Sequence, residues 1–198
     1  MFKPTLSALA LLAAIGLAGC RDDAPKADAG PAFRPTASIQ EIMQSIVDPS
    51  ADALWESVSS TVTAKGVEDK QPRTDEEWTT VRHLAIQLAE AANLLAVDGR
   101  PVAHPGKQLE DAHVAGILKP DEIDALIGKE RPRFVAHARH LQQAAEEALA
   151  AIDARSVERF TVAGGAIDQA CEACHRVFWY PNDKRPPELA GTPTPVTK

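Results

Sequence analysis

The sequence predicts an all-α fold: a four-helix bundle, up-down-up-down, with a long connection between helices 2 and 3. Apolar residues recur in alternating steps of three and four along four separate segments, the period of a helix with one buried face. Each of these segments opens on a helix-start signal, a capping side chain or a proline at the first helical position. Composition agrees: 44% of residues are hydrophobic, alanine and leucine are abundant, and aromatics reach only 5%, a mixture that suits helices packed on one another. A chain of 198 residues is ordinary for one domain with a sizeable core.

Ser38 caps the first helix, and Ile39, Ile42, Met43, Ile46 and Val47 supply its buried stripe. Asp48-Pro49 interrupts the run. Asp as a cap before Pro at the first helical position also restarts a helix, so the spacing predicts a kink and a stripe carried on through Leu54, Val58 and Val62. The second helix opens on the capping box Thr74-Asp75-Glu76-Glu77, carries Trp78, Val81, Ala85, Leu88, Ala92 and Leu95, and stops at Asp98-Gly99. Residues 98 to 130 hold Pro101, Pro105, Gly106 and Gly116 and read as a long crossover, with a short helix after Pro120, over Asp121 to Ile127. The third helix starts near Pro132, buries Phe134, Ala138, Leu141, Ala145, Ala148 and Ile152, and ends near Asp153. Ser156 caps the fourth, whose stripe is Phe160, Ala163, Ile167, Ala170 and Cys174 and which Pro181 stops.

The helical domain is thus expected over 38–180, between two segments of other kinds. Lys3 precedes an apolar run, Leu6 to Leu17, of signal-peptide length and too short to span a bilayer comfortably, so 1–19 reads as a signal peptide. The run ends in Leu17-Ala18-Gly19-Cys20, which looks like a bacterial lipobox, with Cys20 as the lipidated mature N-terminus. An ordinary secretory signal with a chance cysteine is the other reading. Both export the chain, and the first places it on the periplasmic side of a bacterial membrane, held by lipid. Residues 20–37 are rich in Ala, Pro, Asp and Gly without apolar period and read as a flexible tether. The tail, 181–198, holds five prolines and no helical pattern.

The net charge of -7 becomes -8 once the first nineteen residues, with Lys3, are removed. Such a chain is a poor partner for phosphate backbones, so no nucleic acid is expected; an acidic surface favours basic or locally cationic partners.

The chemistry sits at the end of the fourth helix, in Cys171-Glu172-Ala173-Cys174-His175. Cysteines three apart lie one helical turn from each other on one face, the spacing needed for two thiols to add across the two vinyl groups of one haem. The histidine directly after them can turn its imidazole under the ring and bind iron, leaving the opposite face for another ligand. One covalent haem c is therefore expected, on Cys171 and Cys174, with His175 as proximal ligand. A disulfide or redox pair would want a thioredoxin-like βαβ context, and zinc would want a second ligand cluster; the sequence has neither.

Met43 is the one methionine left after the signal peptide. In an up-down-up-down bundle, helices 1 and 4 are antiparallel neighbours. Met43 near the start of one and His175 near the end of the other then sit roughly 7 to 8 Å from the same bundle end, at about 1.5 Å per residue. Met43 is the expected distal ligand; a core-filling methionine is the alternative. His137, at a similar level, is the best alternative ligand, but it flanks its helix's stripe without joining it and is expected to face solvent, while His83, His104 and His113 read as surface histidines. Gly164-Gly165 implies either a close approach to helix 4 or a local kink. Trp55, Trp78 and Phe178 suit either the bundle core or a macrocycle.

With its attachment motif on the last helix of a four-helix bundle, the chain resembles the class II cytochromes c, the cytochrome c' and cytochrome c556 group, over residues 38 to 180. The residues that carry the resemblance are Cys171, Cys174, His175 and the following aromatic Phe178, together with Met43, which looks like the methionine ligand of the six-coordinate c556 branch. The resemblance implies a single-electron carrier with His/Met-ligated iron, redox protein partners, a possible homodimer and no enzyme activity. Its cytochrome c' branch implies the alternative, a five-coordinate protein that binds nitric oxide or carbon monoxide. A non-catalytic accessory protein to a membrane oxidoreductase is a third reading. The long crossover, the proline-rich tail and the lipid anchor depart from the family's pattern.

Overall fold

The structure is a computed structural model and describes residues 34–183. The expected signal peptide, Cys20 and nearly all of the expected tether and tail lie outside the described residues. The described chain is mostly helical with one small two-stranded sheet: α1 Ile39–Ile42, a π-helical segment Met43–Val47, α2 Asp48–Ser57, β1 Ser59–Thr63, β2 Gly66–Lys70, α3 Asp75–Leu95, α4 Pro120–Lys129, α5 Arg131–Asp153 and α6 Val157–Phe178.

The first helix begins where its cap predicts. Ser38 Oγ accepts from Glu41 N at 3.2 Å and Ser38 N donates to Glu41 Oε2 at 2.8 Å, a reciprocal capping box. The helix then passes Asp48-Pro49 without breaking. Pro49 has no N–H to donate backwards and its ring crowds the carbonyl four residues earlier. The widened π turn Met43–Val47, closed by Asp48 N–H on the Met43 carbonyl, takes up that misfit just ahead of it.

The expected continuation through Val58 and Val62 does not occur. α2 stops at Ser57, Val58 leaves the helical region (φ -132°, ψ 84°), and β1 pairs antiparallel with β2 in the register Val62↔Val67. Ser59-Ser60-Thr61-Val62-Thr63 is a β-favouring run, and Gly66, at φ +123°, supplies a backbone conformation that side-chain-bearing residues avoid. Val62 is 83% exposed, as is its strand partner Val67 at 64%, so the helical spacing of Val58 and Val62 from Leu54 is coincidental.

α3, α5 and α6 match their predicted segments closely, and α3 carries the predicted capping box, Thr74 with Glu77. α3 packs on α5, α5 on α6, and α2 against both α3 and α6. Leu54, Leu88, Phe160, Ile167 and Phe178 have no exposed surface, and Ala85, Ala145 and Ala148 line the seams where small side chains let the helix axes approach.

The crossover is an ordered strap. Pro101 and Val102 carbonyls accept from Ile39 N (2.8 Å) and Gln40 N (2.9 Å), satisfying amides at the start of α1 that have no partner within the helix. Val102 N donates to Asp124 Oδ1 at 2.9 Å on α4, Gln40 Nε2 donates to Gln108 O at 3.0 Å, and Leu118 N donates to Trp179 O at 2.8 Å just past α6. Val102 and Leu109 anchor the strap in the core. It therefore joins the start of α1 to the end of α6.

Candidate functional site

Cys171, Cys174 and His175 project from the last two turns of α6 and are each half-buried; the two thiols are free. Together with Met43 they line one cavity of about 330 Å³. Its walls come from three other directions: Val47, Ala51 and Trp55 from the first helix, Leu95 from the end of α3, and Phe134, Ala138 and Leu141 from α5. The two segments expected to face each other across the fold, one with His175 and one with Met43, do share this space. A second cavity of about 140 Å³ also touches Met43 and His175 and is closed by Leu109 and Ile117 of the strap and by Trp179 and Tyr180.

The electrostatics follow from burial in an apolar wall. Desolvation pushes both thiols up to about 12, helped at Cys171 by the charges of Asp48 and Asp168 and at Cys174 by its neighbour Cys171. Desolvation pushes His175 down, partly offset by Glu172 and Asp111, so its imidazole is neutral at neutral pH and keeps a lone pair for a metal. Asp48 is raised to about 6 by desolvation and then by Asp52 and Glu110.

Trp55 and Gly164 explain one of the two glycines. The indole Nε1–H donates to the Gly164 carbonyl at 2.9 Å, and a Cβ on Gly164 would stand 3.3 Å from Trp55 Cδ1. A close approach, not a kink, is what Gly164 serves; α6 runs on unbroken, and nothing lies within 4 Å of a Cβ built on Gly165. Phe178 is buried away from the cavity and locks α6 to α5, its ring edge-on to Phe134 at 5.3 Å and to His137 at 5.9 Å. Trp78 is core as well.

His137 requires a correction. It is only partly turned to solvent: it is half-buried and lines the larger cavity beside Ala138 and Leu141, and burial, Arg133 and His140 push its pKa down. Contact with Phe178 turns its ring inward, which the stripe of its own helix could not reveal. His104 pairs with Glu41 at 2.9 Å, and His83 and His113 are exposed. Asp48 and Asp52, which also line the cavity, were not singled out from the sequence, where Asp48 read only as a cap before Pro49. Their spacing of four places them on one helix face, a signal available only once that face was known to border a cavity.

Among the described residues, no group of three or more His, Cys, Asp or Glu side chains is placed to hold a bare metal ion, so a zinc reading finds no ligand set there. No helix of the described residues is long and apolar enough to cross a membrane. Compared with known proteins, the chain matches no family model, no curated protein and no solved structure.

Proposed function

We propose that this chain is a c-type cytochrome of the class II kind, a periplasmic single-electron carrier whose one covalent haem c is held by Cys171, Cys174, His175 and Met43. The observation that carries the reading is the convergence of these four side chains on one largely apolar cavity. Its residues fit the group. The two thiols stand one helical turn apart, the imidazole beside them is neutral, and a thioether comes from another segment, Met43–Val47. The fold that goes with it is an up-down-up-down four-helix bundle of α1–α2, α3, α5 and α6, with α4 and the strap as its long connection.

Haem supplies the one-electron couple; the chain supplies attachment, ligands and surroundings. Cys171 and Cys174 would fix the group in place through thioethers, each thiol adding across one vinyl group. His175 and Met43 would supply its nitrogen and sulfur ligands, and a thioether ligand would favour the reduced state. Val47, Ala51, Leu141 and Trp55 keep water from the site, which limits the reorganisation an electron transfer must drive. In this proposal Cys20 carries the lipid that holds the protein at a membrane, and redox proteins are its partners.

A second reading, a five-coordinate protein for nitric oxide or carbon monoxide, draws support from His137 and Asp48, polar groups on the same cavity as Met43. The attachment itself is tested on a denaturing gel stained for haem peroxidase activity. The parent protein keeps its stain through denaturation and Cys171→Ala/Cys174→Ala loses it. A parent band without stain would refute the proposal in both forms.

A further inference from the structure

The end of α6 carries a carboxylate whose hydrogen bonding is half complete. Glu172 lies three residues before His175, so the two side chains are neighbours on the helix surface. The Tyr180 hydroxyl donates to Glu172 Oε2, while Oε1 is sealed from solvent and has no hydrogen-bond partner among the described residues. The ion pairs among the described residues join Arg82 to Asp153, His104 to Glu41, Arg131 to Asp98 and Arg155 to Asp75, and leave Glu172 out. A buried carboxylate oxygen without a donor is costly, and native structures rarely keep one without a reason.

The same corner holds His175. Its ring centroid is 5.5 Å from that of Trp179 and 6.1 Å from that of Tyr180, and its carbonyl accepts from Trp179 N at 2.8 Å and Tyr180 N at 3.0 Å. Tyr180 thus grips Glu172 with its hydroxyl and His175 with its backbone. Of the charges that act on the imidazole, Glu172 acts most strongly, ahead of Asp111. Asp111 lies exposed on the strap, where water screens it.

We propose that Glu172 is the positioning residue of His175: with the haem in place, its Oε1, unpartnered in this structure, would accept the N–H of the ring nitrogen that does not bind iron, while Tyr180 holds the carboxylate. The proposal rests on the cytochrome reading. Metal-bound histidines commonly donate their second N–H to a carboxylate, carbonyl or water, which fixes the ring and makes it a stronger donor. Such a bond favours the oxidised state, opposing the thioether of Met43.

The test is the reduction potential of the purified haem protein, with Glu172→Gln, Tyr180→Phe and Asp111→Asn beside the parent. Glu172→Gln keeps the shape and removes the charge. The equilibrium constant for reduction should rise by about tenfold, which is 59 mV for one electron. Tyr180→Phe should shift it the same way by less, and Asp111→Asn should leave it within about twofold, as expected of a screened charge. The imidazole N–H proton, read by paramagnetic nuclear magnetic resonance, should exchange with solvent faster in Glu172→Gln. Potentials unmoved in both Glu172→Gln and Tyr180→Phe, or moved only in Asp111→Asn, would overturn the proposal and leave the cytochrome reading standing. A parent protein without covalent haem would remove both.

Discussion

Gly164 and Gly165 stand side by side in α6, and the structure predicts that alanine at each has a different effect. Both substitutions gain about 1 kcal/mol of helix propensity, since a helix-interior glycine gives up more backbone freedom than alanine. At Gly165 nothing opposes the gain, because the new Cβ meets no atom within 4 Å. At Gly164 the Cβ would press on the indole of Trp55, 3.3 Å from Cδ1 and 3.7 Å from Nε1, while that indole is hydrogen-bonded to the Gly164 carbonyl at 2.9 Å. Trp55 must give way by a few tenths of an ångström, straining a hydrogen bond worth about 1 kcal/mol together with its packing. Gly165→Ala should therefore be more stable than the parent by about 1 kcal/mol, a rise in Tm of about 2–4 °C for a chain of this size. Gly164→Ala should show no gain or a loss, ending about 1–2 kcal/mol below Gly165→Ala. Urea unfolding of the purified protein followed by far-ultraviolet circular dichroism measures both. In a Trp55→Ala background the Gly164→Ala gain should reappear, because the obstructing indole is gone. Equal stabilisation by the two substitutions in the parent background would refute the close-approach argument.

Two further predictions concern the start of α1 and the site thiols. Ser38→Ala removes the side chain that accepts from Glu41 N and should lower stability by about 1 kcal/mol in the same unfolding assay; an unchanged midpoint would mean that the strap alone caps α1. In protein produced without haem attachment, thiols pushed up to about 12 are only on the order of one in ten thousand ionised at pH 8. Alkylation by iodoacetamide should then be about a thousandfold slower than in the urea-unfolded chain, and should keep rising about tenfold per pH unit past pH 9, where the unfolded chain levels off. The sign for stability follows: a raised thiol pKa favours the folded state below about pH 9, and that contribution is lost as the pH climbs towards 12. Fast alkylation at pH 8 would mean that the cysteines are not held in the apolar wall.

The three long helices were legible because each has both a stripe and a start signal; Thr74 with Glu77 marks α3 to the residue. The hairpin was not, because Val58 and Val62 continue the spacing of Leu54 by chance, and only the run of serine, threonine and valine argued for a strand. The strap is held by single hydrogen bonds between residues far apart, such as Val102 to Asp124 and Leu118 to Trp179, and such bonds leave no period to read. At the site, Cys171, Cys174 and His175 announce themselves by spacing, and Met43 by being the one methionine besides Met1. His137, Asp48 and Glu172 are defined by what surrounds them. Their neighbours Phe178, Asp52 and Tyr180 come from another helix, the next turn and a residue beyond the helix end.

The central claim, an iron held between His175 and Met43, is tested most directly by the absorption spectrum of the purified haem protein, oxidised and reduced, with carbon monoxide added to the reduced form. The account predicts low-spin bands, a far-red sulfur-to-iron charge-transfer band that Met43→Ala abolishes, and no response to carbon monoxide until Met43 is replaced. A high-spin spectrum in the parent, with ready carbon monoxide binding and no change on Met43→Ala, would contradict it and leave Met43 as a wall of an open gas-binding site.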